Sequence, residues 1–209
     1  MKNRTSYCRL LKVIMGIILI TMSLAAYAAT KVSGKDLSAT GTSLDDFEFE
    51  IEGNTIKLEE YKGTDYEVTI EASYELNGKT YKTDLSRFMF GLFNKYPTRA
   101  YISEGIEEIY NPIFNSCDVN EIYLPKSLKS LNPKVLSYFP HYDSMFNPVV
   151  SKIFYPGTQE EFVQLLIKGS GMTAKEAEGV NLFAGFGFDA SSLEFIFEAT
   201  REDYESGIF

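Results

Sequence analysis

The chain holds one histidine, His141, and two cysteines, Cys8 and Cys117, and these set the limit on its nucleophilic chemistry. A Ser-His-Asp or Cys-His arrangement needs an imidazole as base, so His141 would have to serve any such site. It lies in Pro140-His141-Tyr142-Asp143-Ser144, whose ordinary content is a polar loop. Cys117 stands among apolar positions, where a thiol acts as a small hydrophobe; a catalytic thiol needs exposure and a lowered pKa. A zinc site needs several His or Cys ligands, more than these residues supply. Asp45, Asp46, Glu202, Asp203 and Glu205 lack the alternating oxygen spacing and turn glycine of a calcium loop. Gly185 and Gly187 are not followed by the Lys-Ser/Thr of a phosphate loop. The residues therefore predict no catalytic group, no metal ligand and no cofactor.

Composition points to export. Lys2, Arg4, Arg9 and Lys12 form a basic start without an acidic residue, and Val13 to Ala26 carries no charge. Ala26-Tyr27-Ala28 then offers the small-x-small pattern of a signal peptidase site, which places the cut between Ala28 and Ala29. The apolar run is short for a membrane span of about 20 residues, so no stable membrane insertion is expected once the signal is removed, an uncleaved anchor being the alternative. Loss of residues 1–28 leaves 181 residues and takes away four positive charges, moving the net charge from −9 to −13. Such a body repels phosphate backbones and anionic lipid, which argues against nucleic acid as a partner. Cys117 is then alone, so no internal disulfide can form and packing must hold the fold. With no lipobox cysteine, terminal apolar tail or sortase-type motif in the sequence, the expectation is a protein released or held non-covalently at the surface.

A repeat organises the middle of the chain. At an offset of 22, Tyr101, Ile102, Ile106, Ile109, Ile113, Phe114 and Cys117 align with Tyr123, Leu124, Leu128, Leu131, Val135, Leu136 and Phe139. Cys117 therefore shares the phase of Phe139, and of Phe93 in a more worn copy with Leu85, Met89 and Phe90, so it should point into the core. The strand of that worn copy would be Glu67 to Ile70, followed by a hairpin at Tyr74 to Tyr81 around Asn77-Gly78. Downstream, Lys152 to Pro156 matches Glu121 to Pro125 at an offset of 31, and Gln159 to Ile167 has helical spacing. Phe47, Phe49 and Ile51 alternate with glutamates, then Gly53-Asn54 turns the chain and Ile56 and Leu58 alternate again. That reads as a two-stranded β unit. Thr173 to Glu178 reads as a short helix and Leu193 to Phe197 as a strand.

The pattern of strand, "SL..L" or "GI..I", "..VL" or "..IF", then an aromatic or Cys resembles the BspA-like leucine-rich repeats of bacterial surface proteins. Ile113-Phe114-Asn115-Ser116-Cys117 is similar to that family's "AF..C" segment, with Ile113 where Ala is usual. Phe154 to Thr158 with Glu160, Glu161 and Phe162 resembles its terminal unit. The likeness spans roughly residues 50–168 and is strongest over 100–140. It implies an α+β repeat fold: a short leucine-rich-repeat solenoid with a β-rich N-terminal cap and an irregular C-terminal extension. The expected division is a signal peptide at 1–28, a flexible leader at 29–43, the solenoid at 44–168 and an extension of unknown role at 169–209. It also implies adhesion, with an extracellular protein or glycan as partner. A self-associating envelope or matrix component is the alternative, and a hydrolase has only His141 in its favour.

One set of residues stands out as a contact surface. Alternation in the repeat strands turns Ile102, Ile122 and Ile153 to one side and Tyr101, Tyr123 and Phe154 to the other. The second set should stack as an exposed aromatic ladder, ending at Thr69. The bland reading of the same ladder is cross-strand packing that stabilises the sheet.

Overall fold

The computed structural model describes residues 41–86, 92–93, 97–110, 112–114, 117–138, 150–177 and 193–206, all within the compact unit Ser33–Phe209. The proposed signal peptide, His141 and the Gly-Phe segment at 183–188 lie outside the described residues.

Alternating sequence and turn chemistry build the first half. β1 (Phe47–Glu52) and β2 (Thr55–Tyr61) pair antiparallel through Gly53, which takes φ 63°. β4 (Ser73–Leu76) and β5 (Lys79–Thr83) do the same through Asn77-Gly78, at φ 54° and 75°, the positive values that a tight hairpin turn demands. The two hairpins join along β2 and β5 in parallel, giving a four-stranded mixed sheet in the order β1-β2-β5-β4.

The second sheet has five strands, all parallel, in the order β11-β10-β8-β6-β3. Its members are β3 (Glu67–Ile70), β6 (Arg99–Ile102), β8 (Glu121–Tyr123), β10 (Ser151–Tyr155) and β11 (Leu193–Phe197). A third, two-residue pairing joins β7 (Glu108–Ile109) to β9 (Ser130–Leu131). Helices are few. α1 (Gln159–Ser170) starts at a capping box in which Thr158 Oγ1 accepts from the Glu161 amide and the Glu161 carboxylate accepts from the Thr158 amide. It buries Phe162, Leu165, Leu166 and Gly169, and ends at Gly171 with φ 75°. α2 (Ala174–Ala177) and α3 (Arg201–Ser206) are single turns.

The fold is thus a β-rich α/β arrangement of mixed and parallel sheets, and the expected leucine-rich-repeat solenoid is corrected. A solenoid needs a near-constant repeat of one supersecondary unit. Here Arg99 and Glu121, in neighbouring strands, are 22 positions apart, but Glu67 and Arg99, the preceding pair, are 32 apart. An antiparallel hairpin sheet occupies part of that longer excursion. The 22-residue likeness holds only locally: Tyr101 faces Tyr123, Ile109 faces Leu131, and the Glu104 carboxylate accepts from the Lys126 and Ser127 amides. Ile109 and Leu131, aligned as apolar repeat positions, lie in the two short strands β7 and β9. The C-terminal extension is not irregular over 193–206 either, because β11 completes the parallel sheet and α3 returns onto it.

Candidate functional site

The parallel register carries chemistry across the sheet in rows. Thr69, Tyr101, Tyr123, Phe154 and Ile196 are neighbours in one row, on β3, β6, β8, β10 and β11. Tyr101 and Tyr123 stack with ring centroids 4.8 Å apart and planes 14° from parallel. The ladder read from the sequence forms, with Thr69 at its end.

Its exposure is the part that needs correcting. Tyr101 is 8%, Tyr123 6% and Phe154 1% exposed, because α3 lies over them. Tyr204, the one buried side chain of that helix, sets its ring 5.9 Å from Tyr101, 5.8 Å from Tyr123 and 5.4 Å from Phe154. The physical reason is general: a parallel sheet is covered on both faces. The three residues remain together as a face, but one that is occupied.

Two residues ahead of each rung, on the same side of the sheet, runs a row of alternating charge: Glu67, Arg99, Glu121, Lys152 and Glu194. Opposite charges on adjacent strands favour this strand order. Arg99, second in the row, makes the contacts that reach beyond the sheet. Its Nε donates to Glu121 at 2.8 Å and its Nη1 to Glu67 at 3.0 Å. Its Nη2 donates to the Tyr204 carbonyl, and the guanidinium lies 4.2 Å from the centroid of the Tyr204 ring. Arg201 sits 4.6 Å from the Tyr101 centroid while pairing with Glu205. One planar cation therefore ties two strands and a helix together, as a guanidinium with five donors can.

Burial and these charges shift several groups. Burial holds the Tyr101 hydroxyl above its usual range and pushes Tyr123 up to about 12, with Tyr101 and Glu104 adding to it. Tyr204 rises further, through burial first and the Glu67 charge second. The hydrogen bond and charge of Glu205 raise Arg201. Thr200, which caps α3 and donates to Asp203 from both its hydroxyl and its amide at 2.7 Å, lowers the Asp203 carboxyl.

The residues considered for nucleophilic chemistry are not brought together. Cys117 is buried as the repeat phase predicted; its thiol donates to the Phe114 carbonyl at 3.1 Å, and burial pushes its pKa up to about 12. Asp45 and Asp46 belong to a 3-10 turn beside β1, whereas Glu202, Asp203 and Glu205 lie on α3. Among the described residues, no group of three or more His, Cys, Asp or Glu could hold a metal, and no helix is long and apolar enough to cross a membrane. A polar cleft of about 200 Å³ opens between β5 and the turn after β6, lined by Lys82, Thr83, Asp84, Ser86 and Glu107 among others. Asp84 there turns onto the Ser86 amide and hydroxyl at 2.9 and 2.6 Å.

Sequence reasoning missed Arg99, Glu67, Glu121, Tyr204 and Arg201. The first three had a signal: Glu-Val-Thr, Arg-Ala-Tyr, Glu-Ile-Tyr, Lys-Ile-Phe and Glu-Phe-Ile align as five strands whose first residues alternate in sign. Tyr204 had only a weak signal, a lone apolar residue in the capped polar segment Thr200 to Ser206, because its partners lie far back in the chain.

Fold and face together define a class, a β-rich α/β protein whose parallel sheet carries an aromatic row and a charged row under a short C-terminal helix. No family model matches the chain, and no match was found among the curated proteins or the solved structures.

Proposed function

We propose that the protein is an exported interaction module of the bacterial surface that binds an extracellular protein or glycan and is not an enzyme. A signal peptide ending at Ala28 would carry it out of the cytoplasm, and the remaining acidic body would stay clear of nucleic acid and anionic lipid. The contact surface is the face of Tyr101, Tyr123 and Phe154. The observation that supports this reading is how that face is covered. One turn of helix closes it through a single buried side chain, Tyr204, beside a charged row on the same face. Aromatic and Arg side chains clustered in a desolvated patch are the residue types that carry most of the energy in protein contacts.

The test is capture of the 29–209 protein by an array of matrix proteins, mucins and glycans. The unmodified protein should capture a ligand, and Tyr204→Ala should capture it at least tenfold more tightly by freeing α3. A Tyr101→Ala/Tyr123→Ala variant that still folds should lose it. Blank arrays for both the unmodified protein and Tyr204→Ala would refute the proposal. Assembly that rises with concentration in the absence of ligand would replace it with a structural role. A hydrolytic activity abolished by His141→Ala would replace it with an enzymatic one.

A further inference from the structure

The most informative feature of the face is what already occupies it. α3 has six residues, far fewer than the roughly 12–15 that an isolated helix needs to be even marginal in water. Its order comes from the Thr200–Asp203 cap and from docking. Docking uses three contacts. The Tyr204 ring fills the space above Tyr101, Tyr123 and Phe154; Arg99 holds the Tyr204 carbonyl; and Arg201, one turn earlier, rests on the Tyr101 ring. The other side chains of the turn point outward or are half-buried. The fit is incomplete at one atom, since the Tyr204 hydroxyl is buried without a hydrogen-bond partner among the described residues.

From these contacts we infer that the face is a receptor site for a short peptide turn carrying an aromatic residue three positions after a cationic one, and that α3 is its intramolecular occupant. The inference rests on the binding-module reading and names the partner class: a protein segment, not a glycan. An aromatic anchor seated in a pocket with polar contacts around it is how a helical turn is recognised in a groove. The carboxylates of Glu67 and Glu121 hold Arg99 in place, so the donor to the incoming carbonyl is fixed before binding. Because the hydroxyl gains nothing at its seat, an incoming Phe should serve better than Tyr.

The experiment uses the intact exported chain and a fluorescent seven-residue peptide with the sequence of Thr200 to Ser206. Polarisation should show the peptide binding Tyr204→Ala at least tenfold more tightly than the unmodified protein, in which α3 competes. A peptide with Phe at the Tyr204 position should bind more tightly still, and one with Ala there should not bind. Equal binding to both proteins, with the variant folded by circular dichroism, overturns the inference. Should Tyr204→Ala fail to fold, hydrogen exchange on the unmodified protein decides. The Tyr204 amide, bonded to the Thr200 carbonyl, should exchange at least tenfold faster than the Leu124 amide, bonded to the Phe154 carbonyl. Exchange of both at one common rate overturns the inference, because α3 would then open only with the whole fold. Peptide binding beside a blank array keeps the receptor site and sinks the adhesion reading. Capture of glycans alone, unaltered by Tyr204→Ala, sinks the receptor site and keeps adhesion only through a surface other than this face.

Discussion

Tyr204→Phe removes one atom from the ring that covers the face. The ring and its contacts with Phe154, Tyr123 and Tyr101 stay, as does its stacking on Arg99. What goes is a hydroxyl shut away from water without a partner among the described residues. Leaving such a group unsatisfied costs about 1–3 kcal/mol. The small void left by the oxygen returns a few tenths of that, at about 24 cal/mol per Å³. Tyr204→Phe should therefore stabilise the protein by about 1–2 kcal/mol. For a chain of this size, that is a rise in Tm of about 2–8 °C. Alkaline pH supplies an independent readout. The folded pKa of Tyr204 is raised by burial, so its contribution is fully present below the unfolded value near 10 and is lost as pH climbs towards the folded one. In that window the unfolded chain has released a proton that the folded chain keeps. Each such tyrosine costs about 1.4 kcal/mol of stability per pH unit. The advantage of Phe over Tyr should therefore widen by about 1 kcal/mol between pH 10 and 11, where the unfolded tyrosine goes from half to mostly ionised. Urea unfolding of both proteins at pH 8, 10 and 11 measures both effects. A lower stability for the variant at pH 8 would refute the reasoning, since it would mean that the hydroxyl has a partner worth keeping.

Two further outcomes follow from packing elsewhere. Gly169 lies in α1, where Ala normally gains about 1 kcal/mol of helix propensity, but a Cβ there would run into the backbone of Leu131 and Asn132. Gly169→Ala should accordingly destabilise by about 1–3 kcal/mol in urea unfolding, and a stabilised variant would show that α1 stands off β9. Cys117, buried and with its pKa pushed up to about 12, should not react with an aromatic disulfide reagent at pH 8 in the folded 29–209 protein, yet should titrate as one thiol per chain in guanidinium. Reaction at the same rate in both conditions would place it at the surface.

Local pattern carried a good part of the fold. Alternation located β1 and β2, Asn77-Gly78 located the β4–β5 hairpin, and the offsets of 22 and 31 found the neighbours β6–β8 and β8–β10. The repeat phase also buried Cys117. What misled was extending one good match into an architecture. Two copies at an offset of 22 say that two segments pack side by side; a solenoid requires that the excursions between strands also repeat, and theirs do not. The four-stranded mixed sheet depends on β2 meeting β5 in parallel, a pairing made after the chain has passed through β3 of the other sheet, which no window of sequence displays.

The exposure of the ladder was a different kind of error, and the strands themselves argued against it. Ala100, Tyr101 and Ile102, and likewise Ile153, Phe154 and Tyr155, are unbroken apolar runs, and their burial is unbroken too. A half-exposed strand alternates, whereas a strand covered on both sides reads as a continuous apolar run. The rungs therefore required a cover, and the candidate had to be apolar at one point and polar around it. Thr200 to Ser206 meets that description: a capping Thr, acidic residues in the first turn, and one tyrosine placed to face the sheet. The charged row explains why that segment seats where it does. A guanidinium flanked by Glu67 and Glu121 needs one more acceptor to use its outward donor, and the carbonyl of a docked turn supplies it. Closure of the face and completion of the Arg99 hydrogen bonds are thus one event, and a competing peptide must provide both the ring and the carbonyl to take the place of α3.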